Sequence, residues 1–180
     1  MNFLELAKTR QSVRKYTTQP VEPEKINRCV EAARLAPSAC NSQPWKFIIV
    51  DQTQLKNAIA KETYNAVVTF NKFVKDAPVI AIIVMEKPTL VSQIGGRIKD
   101  KDFYLIDIGI AAEHFCLQAA EEGLGTCMLG WFNEKKIAEL LHLPKSKRIG
   151  LLITLGYSDA TVRDKIRKPT QEILNYNRYE

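Results

Sequence analysis

A chain of 180 residues, 46% hydrophobic and 26% charged, has an ordinary globular composition and enough length to bury a substantial core. Its net charge of +6 invites a nucleic-acid reading. The basic residues are nevertheless spread along the chain, clustering only at 145–148 and 163–168, without zinc-finger spacing or an aromatic–basic RNA motif.

Residues 2–10 alternate apolar and charged, unlike a secretory leader, and no stretch has the length and apolarity of a membrane span. The longest apolar segment, 103–120, is interrupted by Asp107, Glu113, His114 and Gln118. Cys29, Cys40, Cys116 and Cys127 form no C-x-x-C pair and stand beside no histidine, which argues against a metal site or a disulfide scaffold. A cytoplasmic setting is the expectation. Cys29 and Cys116 fall in apolar helical patterns and read as core, whereas Cys40 lies in a polar loop open to oxidants.

Taken in order, residues 2–10 read as a helix with Asn2 as cap and Phe3, Leu4 and Leu6 on its apolar side. In the extended segment that follows, Arg10, Ser12 and Arg14 alternate and project to one side, an anion site or a basic surface turn. A helix over 23–36 starts at Pro23 and is stopped by Pro37. The stretch 36–50 then passes from a proline-bounded polar loop (Ser38, Asn41, Ser42, Gln43) into the buried-strand run Phe47, Ile48, Ile49, Val50. Such a loop, pinned at both ends, suits a polar small molecule or is a plain helix-to-strand connection.

A helix over 53–64 comes next, then an ambiguous segment at 67–73. Residues 78–85 are too uniformly apolar to face water on either side and read as a buried strand. Residues 87–101, with Gly95, Gly96 and several charges, read as a loop or mobile lid. The helix 107–121 is apolar nearly all round and must be buried, at the centre or in a subunit interface, with His114 partly buried on it. Gly123 reads as its left-handed cap. The run 123–130 lacks the glycine that a G-x-G-x-x-G fingerprint needs at Met128, which argues against a Rossmann enzyme. Trp131 lines a site or packs inside, and Phe132 reads as core. A helix over 133–143, a strand over 148–157 and a short helix over 170–176 complete the chain. Strands at 46–51, 79–86, 125–132 and 149–156 separated by helices imply one domain over 1–180 that mixes sheet and helix.

Four stretches carry a family resemblance. Pro-Ser-Ala-Cys-Asn-Ser-Gln-Pro-Trp-Lys-Phe at 37–47 resembles the signature loop of the nitroreductase family, homodimeric FMN-dependent oxidoreductases. Arg-Gln-Ser-Val-Arg at 10–14, Gly-Leu-Gly-x-x-x-x-Gly at 123–130 and the Lys165–Arg167 alternation before Pro169 match the same family in the same order. The resemblance implies an α+β fold in three layers, a mainly antiparallel sheet flanked by helices, paired into a dimer with FMN at each interface.

It further implies that Arg10, Ser12, Lys165 and Arg167 meet the FMN phosphate and that Arg14 reaches the pyrimidine side. Gln11 and Val13 belong to the same segment, although Gln11 departs from the basic residue often found there. Pro37, Ser38, Ala39 and Asn41 come from the partner subunit, and Asn71 stands at the pyrimidine edge. Met128, Leu129, Gly130 and Trp131 lie beneath the ring, with the Gly130 amide facing flavin N5. No side chain is expected to be catalytic and no metal is expected.

The implied reaction passes hydride from NADH or NADPH to flavin N5 and then to a nitroaromatic, quinone or similar small acceptor. Dehalogenation, flavin fragmentation and non-catalytic flavin binding are alternatives on the same fold, and a basic nucleic-acid-binding domain is a remote one. The partners expected are a second copy and a small-molecule acceptor, with neither nucleic acid nor membrane.

Overall fold

The apolar run at 78–85 sits where an uninterrupted β-branched segment must, at the middle of a sheet with both faces covered. A computed structural model describes residues 2–179. In chain order the elements are α1 (Phe3–Thr9), α2 (Pro23–Arg34), β1 (Trp45–Val50), α3 (Thr53–Lys61) and β2 (Val79–Met85). They continue with α4 (Leu90–Lys99), α5 (Phe103–Glu121), β3 (Gly125–Leu129), α6 (Glu134–Leu140) and β4 (Arg148–Gly156). Short 3-10 turns occur at Ala39–Asn41, Lys72–Asp76 and Thr170–Glu172. The four strands are ordered β1-β2-β4-β3 and every pairing is antiparallel.

Strand alternation divides the interior into two cores. Val79, Ala81 and Ile83 of β2 pack with α2 and α5 on one face, through Cys29, Ala33, Ala112 and Phe115. Ile80, Ile82 and Val84 pack on the other with Ile59, Val74 and Ile137. Helices therefore flank an antiparallel sheet, the three-layer α+β arrangement expected. Phe47 stacks on Phe115 with centroids 5.7 Å apart. Cys29 and Cys116 are in the core as expected, and burial pushes both thiols up to about 12.

Two glycines shape the site's surroundings. Gly123, at φ +75, ends α5: the Leu124 N–H donates to the Ala119 carbonyl at 2.8 Å and the Gly123 N–H to Ala120 at 3.1 Å. Gly125 lets the N-terminal segment lie against β3, because a Cβ there would stand 2.7 Å from the Val13 side chain.

Several expectations need correction. Residues 87–101 are not a loop: Leu90–Lys99 is helical, with Thr89 capping it by accepting from the Ser92 N–H. Its apolar residues Leu90, Val91, Ile94 and Ile98 share one side and are exposed. The central helix begins at Phe103 rather than 107. In the added first turn Leu105 and Ile106 are about half exposed, while Ile108, Ala111, Ala112, Phe115, Cys116 and Ala119 are buried. In α1 Asn2 makes the expected capping box with Glu5, but Phe3 and Leu4 are exposed rather than inward. The final helix shrinks to the turn Thr170–Glu172; Ile173 and Leu174 find no surface in this chain to pack on, so no longer helix is stabilised. Among the described residues no helix is long and apolar enough to cross a membrane.

Candidate functional site

The alternating segment after α1 becomes an added edge of the sheet. Ser12 bridges Thr126 of β3 in parallel fashion, and the Val13 N–H donates to the Thr126 carbonyl at 2.8 Å. Val13 is buried, so its backbone is what it offers outward. The C-terminal segment beyond β4 returns across these residues. Ser158 Oγ donates to the Lys15 carbonyl at 2.6 Å, and Gln11 Nε2 donates to the Thr161 carbonyl at 3.1 Å. Gln11 Oε1 in turn accepts from the Arg163 N–H at 3.2 Å and from its Nε at 3.3 Å. Arg163 Nη2 donates to the Ser12 carbonyl at 3.0 Å, and Lys165 Nζ donates to the Arg10 carbonyl.

The two basic segments, 150 residues apart in sequence, are thereby brought together. Burial first, then the neighbouring charges of Arg10 and Arg167, hold the Lys165 ammonium below its usual range. Arg10, Arg163, Lys165 and Arg167 thus crowd around one place, opposed by the carboxylate of Glu113. Arg10 Nε faces Glu113 Oε1 at 3.1 Å, yet this buried nitrogen makes no hydrogen bond. A buried N–H of a charged group that makes no hydrogen bond is costly, and a cluster of cations repels itself. Both costs are relieved by an anion with several acceptor oxygens, such as a phosphate monoester.

Arg10 and Arg14 do not aim at one point as the alternation suggests. Arg10 turns to Glu113 on α5, whereas the Arg14 guanidinium lies 5.9 Å from the ring centre of Phe73 in the Lys72–Asp76 turn. The Ser12 hydroxyl lies beside the Cys127 thiol, within reach of the charges of both Arg14 and Arg163. Arg167 is exposed, its Nη1 bonded to the Ile166 carbonyl at 2.7 Å.

The end of β3 lies beyond this cluster. Leu129 is buried in the core and Met128 is half-buried, so backbone is the chemistry they chiefly present. Gly130 is exposed, and a Cβ placed on it would meet nothing within 4 Å. The Trp131 side chain is exposed while Phe132 packs against the core, as expected of it. Asn71, 3% exposed, donates through Nδ2 to the carbonyls of Thr63 and Trp131, both at 3.1 Å. It fixes the connection after Gly130. Asn133 adds a second clasp, its N–H and Nδ2 donating to Glu62 at 2.7 and 3.0 Å.

The Pro37–Asn41 loop packs elsewhere, against α5 and the cap of α4. Ala39 N–H donates to Asp107 Oδ1 at 3.0 Å, and Ser42 Oγ pairs with Thr89 Oγ1 at 2.9 Å. Ser38 Oγ accepts from the Gln43 N–H at 2.9 Å. Cys40, Asn41 and Gln43 all have left-handed backbones, with φ of 51°, 49° and 46°. Such a conformation costs roughly 1–2 kcal/mol for a non-glycine residue, less for asparagine, so the loop is held in shape against local preference. Cys40 and Asn41 are exposed.

A model of the nitroreductase family matches residues 7–157. The chain belongs to the nitroreductase family. It is 27% identical to the oxygen-insensitive NADPH nitroreductase of Helicobacter acinonychis, over 85% of each chain. An FMN-dependent nitroreductase from Clostridium difficile R20291 matches in structure with a TM-score of 0.78 at 28% identity, over 98% of this chain and 100% of that one. The iodotyrosine deiodinase of Thermotoga neapolitana is 24% identical over 97% of both chains.

Within this nitroreductase family member, three residues at the candidate site escape sequence reasoning. Arg163 belongs to the same every-second-residue pattern as Lys165 and Arg167, and extending that pattern by one step finds it. Glu113 and Asp107 carry no local signal, because their importance comes from which segments pack on α5.

Proposed function

We propose that this chain is an FMN-dependent oxidoreductase that draws hydride from NADH or NADPH and passes it to a small acceptor such as a nitroaromatic or quinone. The observation that carries this reading is the buried N–H of Arg10, which faces Glu113 but makes no hydrogen bond, within a cluster of four cations. Bound FMN supplies the redox chemistry at its N5 position, which leaves the protein to bind, orient and set local charge.

Arg10, Ser12, Lys165 and Arg167 would hold the phosphate, with Gln11 and Val13 keeping the segment in place. Arg14 would set a fixed positive charge beside the pyrimidine side and favour negative charge on the ring system. Met128, Leu129, Gly130 and Trp131 would present backbone to the ring. The open space over Gly130 supports that assignment. Asn71 would act through the Trp131 carbonyl that it holds.

Pro37, Ser38, Ala39 and Asn41 would come from a second copy. The supporting observation is an apolar groove of about 660 Å³ between α1, α2 and α5, lined by Phe3, Leu6, Ile106, Ile110 and Leu117. Phe3 and Ile106 in it are more than half exposed, which is the surface a homodimer would cover. His114 lines this groove, its Nδ1 2.8 Å from the Ile110 carbonyl. The four unpaired cysteines are in keeping with a cytoplasmic setting.

The test is a visible absorption spectrum of the purified protein with FMN, taken anaerobically before and after NADH or NADPH. A bound-flavin spectrum that bleaches, and recovers on adding a nitroaromatic or quinone, is the expected result. A second reading, reductive dehalogenation on the same fold, is favoured by the likeness to an iodotyrosine deiodinase. Faster recovery with a halogenated phenol than with any nitroaromatic or quinone would select it.

A further inference from the structure

Asp107 is a buried carboxylate with half of its hydrogen-bonding capacity unused. It is 4% exposed; Oδ1 accepts from the Ala39 N–H at 3.0 Å, and Oδ2 is buried without a partner. A carboxylate placed this way is a poor device for stability, since an unpaired buried oxygen keeps its desolvation cost. What it does hold is a loop in which Cys40, Asn41 and Gln43 adopt left-handed backbones. The remaining ties of that loop are within itself or, through Ser42 Oγ, to the hydroxyl and N–H of Thr89 at the exposed cap of α4. The bond to Asp107 therefore fixes the loop to the rigid helix at the centre of the fold.

We propose that Asp107 is a positioning residue of the cofactor site. It acts through the Ala39 N–H to keep Pro37–Asn41 in the shape that receives the flavin, at a cost to the stability of the fold. This inference rests on the functional reading above and adds a residue to it. Strain and unmet polar groups persist where function requires them, and here both sit on the two sides of one hydrogen bond.

Three measurements on the full-length protein test it: FMN affinity by fluorescence quenching, thermal unfolding without FMN, and amide hydrogen exchange. Asp107→Ala is expected to weaken FMN binding about tenfold or more, in line with the loss of one hydrogen bond to a charged group. Its unfolding temperature without FMN is expected to stay level or rise. Exchange at 39–43 is expected to quicken while β1 and α5 keep their protection. Asp107→Asn retains an acceptor for the Ala39 N–H and is expected to bind FMN within about threefold of the wild type.

An Asp107→Ala protein that binds FMN as the wild type does would overturn the proposal. So would a fall in unfolding temperature that accompanies the lost affinity and is not rescued by asparagine, since that marks a structural residue. Wild-type protein that takes up no FMN would overturn the functional reading. Unchanged exchange at 39–43 in Asp107→Ala would overturn the latch whatever FMN does.

Discussion

Arg10 Nε stands 3.1 Å from Glu113 Oε1 and yet donates to nothing. Glu113 is close enough to fix the guanidinium without consuming its N–H, and Lys165 braces the same residue from behind through the Arg10 carbonyl. The cluster is thus built by the chain's own contacts, with one carboxylate against four cations. Arg10→Ala should raise the FMN dissociation constant by about ten- to a hundredfold, the worth of a charge-assisted contact to phosphate. Titration of flavin fluorescence, repeated at rising ionic strength, checks it: the wild-type advantage should shrink with salt.

Gly125 and Gly130 separate what the fold needs from what the site needs. An alanine Cβ at Gly125 would meet Val13 at 2.7 Å, in a β-branched side chain that has no slack. Gly125→Ala should destabilise the protein by about 1–3 kcal/mol and loosen the 10–14 segment. Gly130→Ala meets nothing within 4 Å and should leave the unfolding midpoint unchanged while weakening FMN binding. Urea melts paired with flavin titrations distinguish the two effects.

Asn71 ties the Thr63 and Trp131 carbonyls with one amide nitrogen. Asn71→Ala removes both donations from a buried position, and each is worth about 1 kcal/mol. Asn71→Asp should be at least as damaging, because a carboxylate faces those carbonyls with acceptors only. Equal stability of Asn71→Asp and the wild type would show that the amide does not hold the chain there.

Acid stability should follow the surface carboxylates. Arg28 meets both oxygens of Glu122, at 2.6 and 2.8 Å, and with help from Gln118 holds the carboxyl down to about 2. Because the folded value lies below the ordinary 4.5, the contribution is complete above that pH and is lost as pH falls toward 2. Glu22, beside Tyr157, and Glu134, beside Arg148, are shifted in the same direction. Glu122→Gln should therefore be less stable than the wild type at neutral pH, with the gap closing near about pH 2. A gap that stays constant with pH would mean that the ion pair is not its source.

Fold and site were legible to different degrees, for physical reasons. The uniform apolar run of β2 and the glycine stop at Gly123 are local signals, and both are found where expected. The amphipathic pattern of α4 was hidden by Gly95 and Gly96 together with its charges, although Leu90, Val91, Ile94 and Ile98 keep helical spacing. Gly96 is there because a Cβ would strike the Lys101 carbonyl at 2.7 Å, a contact made beyond the helix and invisible in its pattern. Phe3 and Leu4, read as the apolar side of α1, are exposed in this chain, because α1 turns that side away from the core. The candidate residues at 10–14, 37–41 and 165–167 lie in motifs, whereas Asp107 and Glu113 meet their partners through packing that no local spacing reports.

The cations around Arg10 are proposed to form a phosphate seat. Comparing the affinities of FMN and riboflavin for the same protein preparation tests it most directly, since the two ligands differ only by that phosphate. FMN should bind at least about a hundredfold more tightly, with most of the difference abolished in Arg10→Ala. Equal affinities for the two flavins would contradict it.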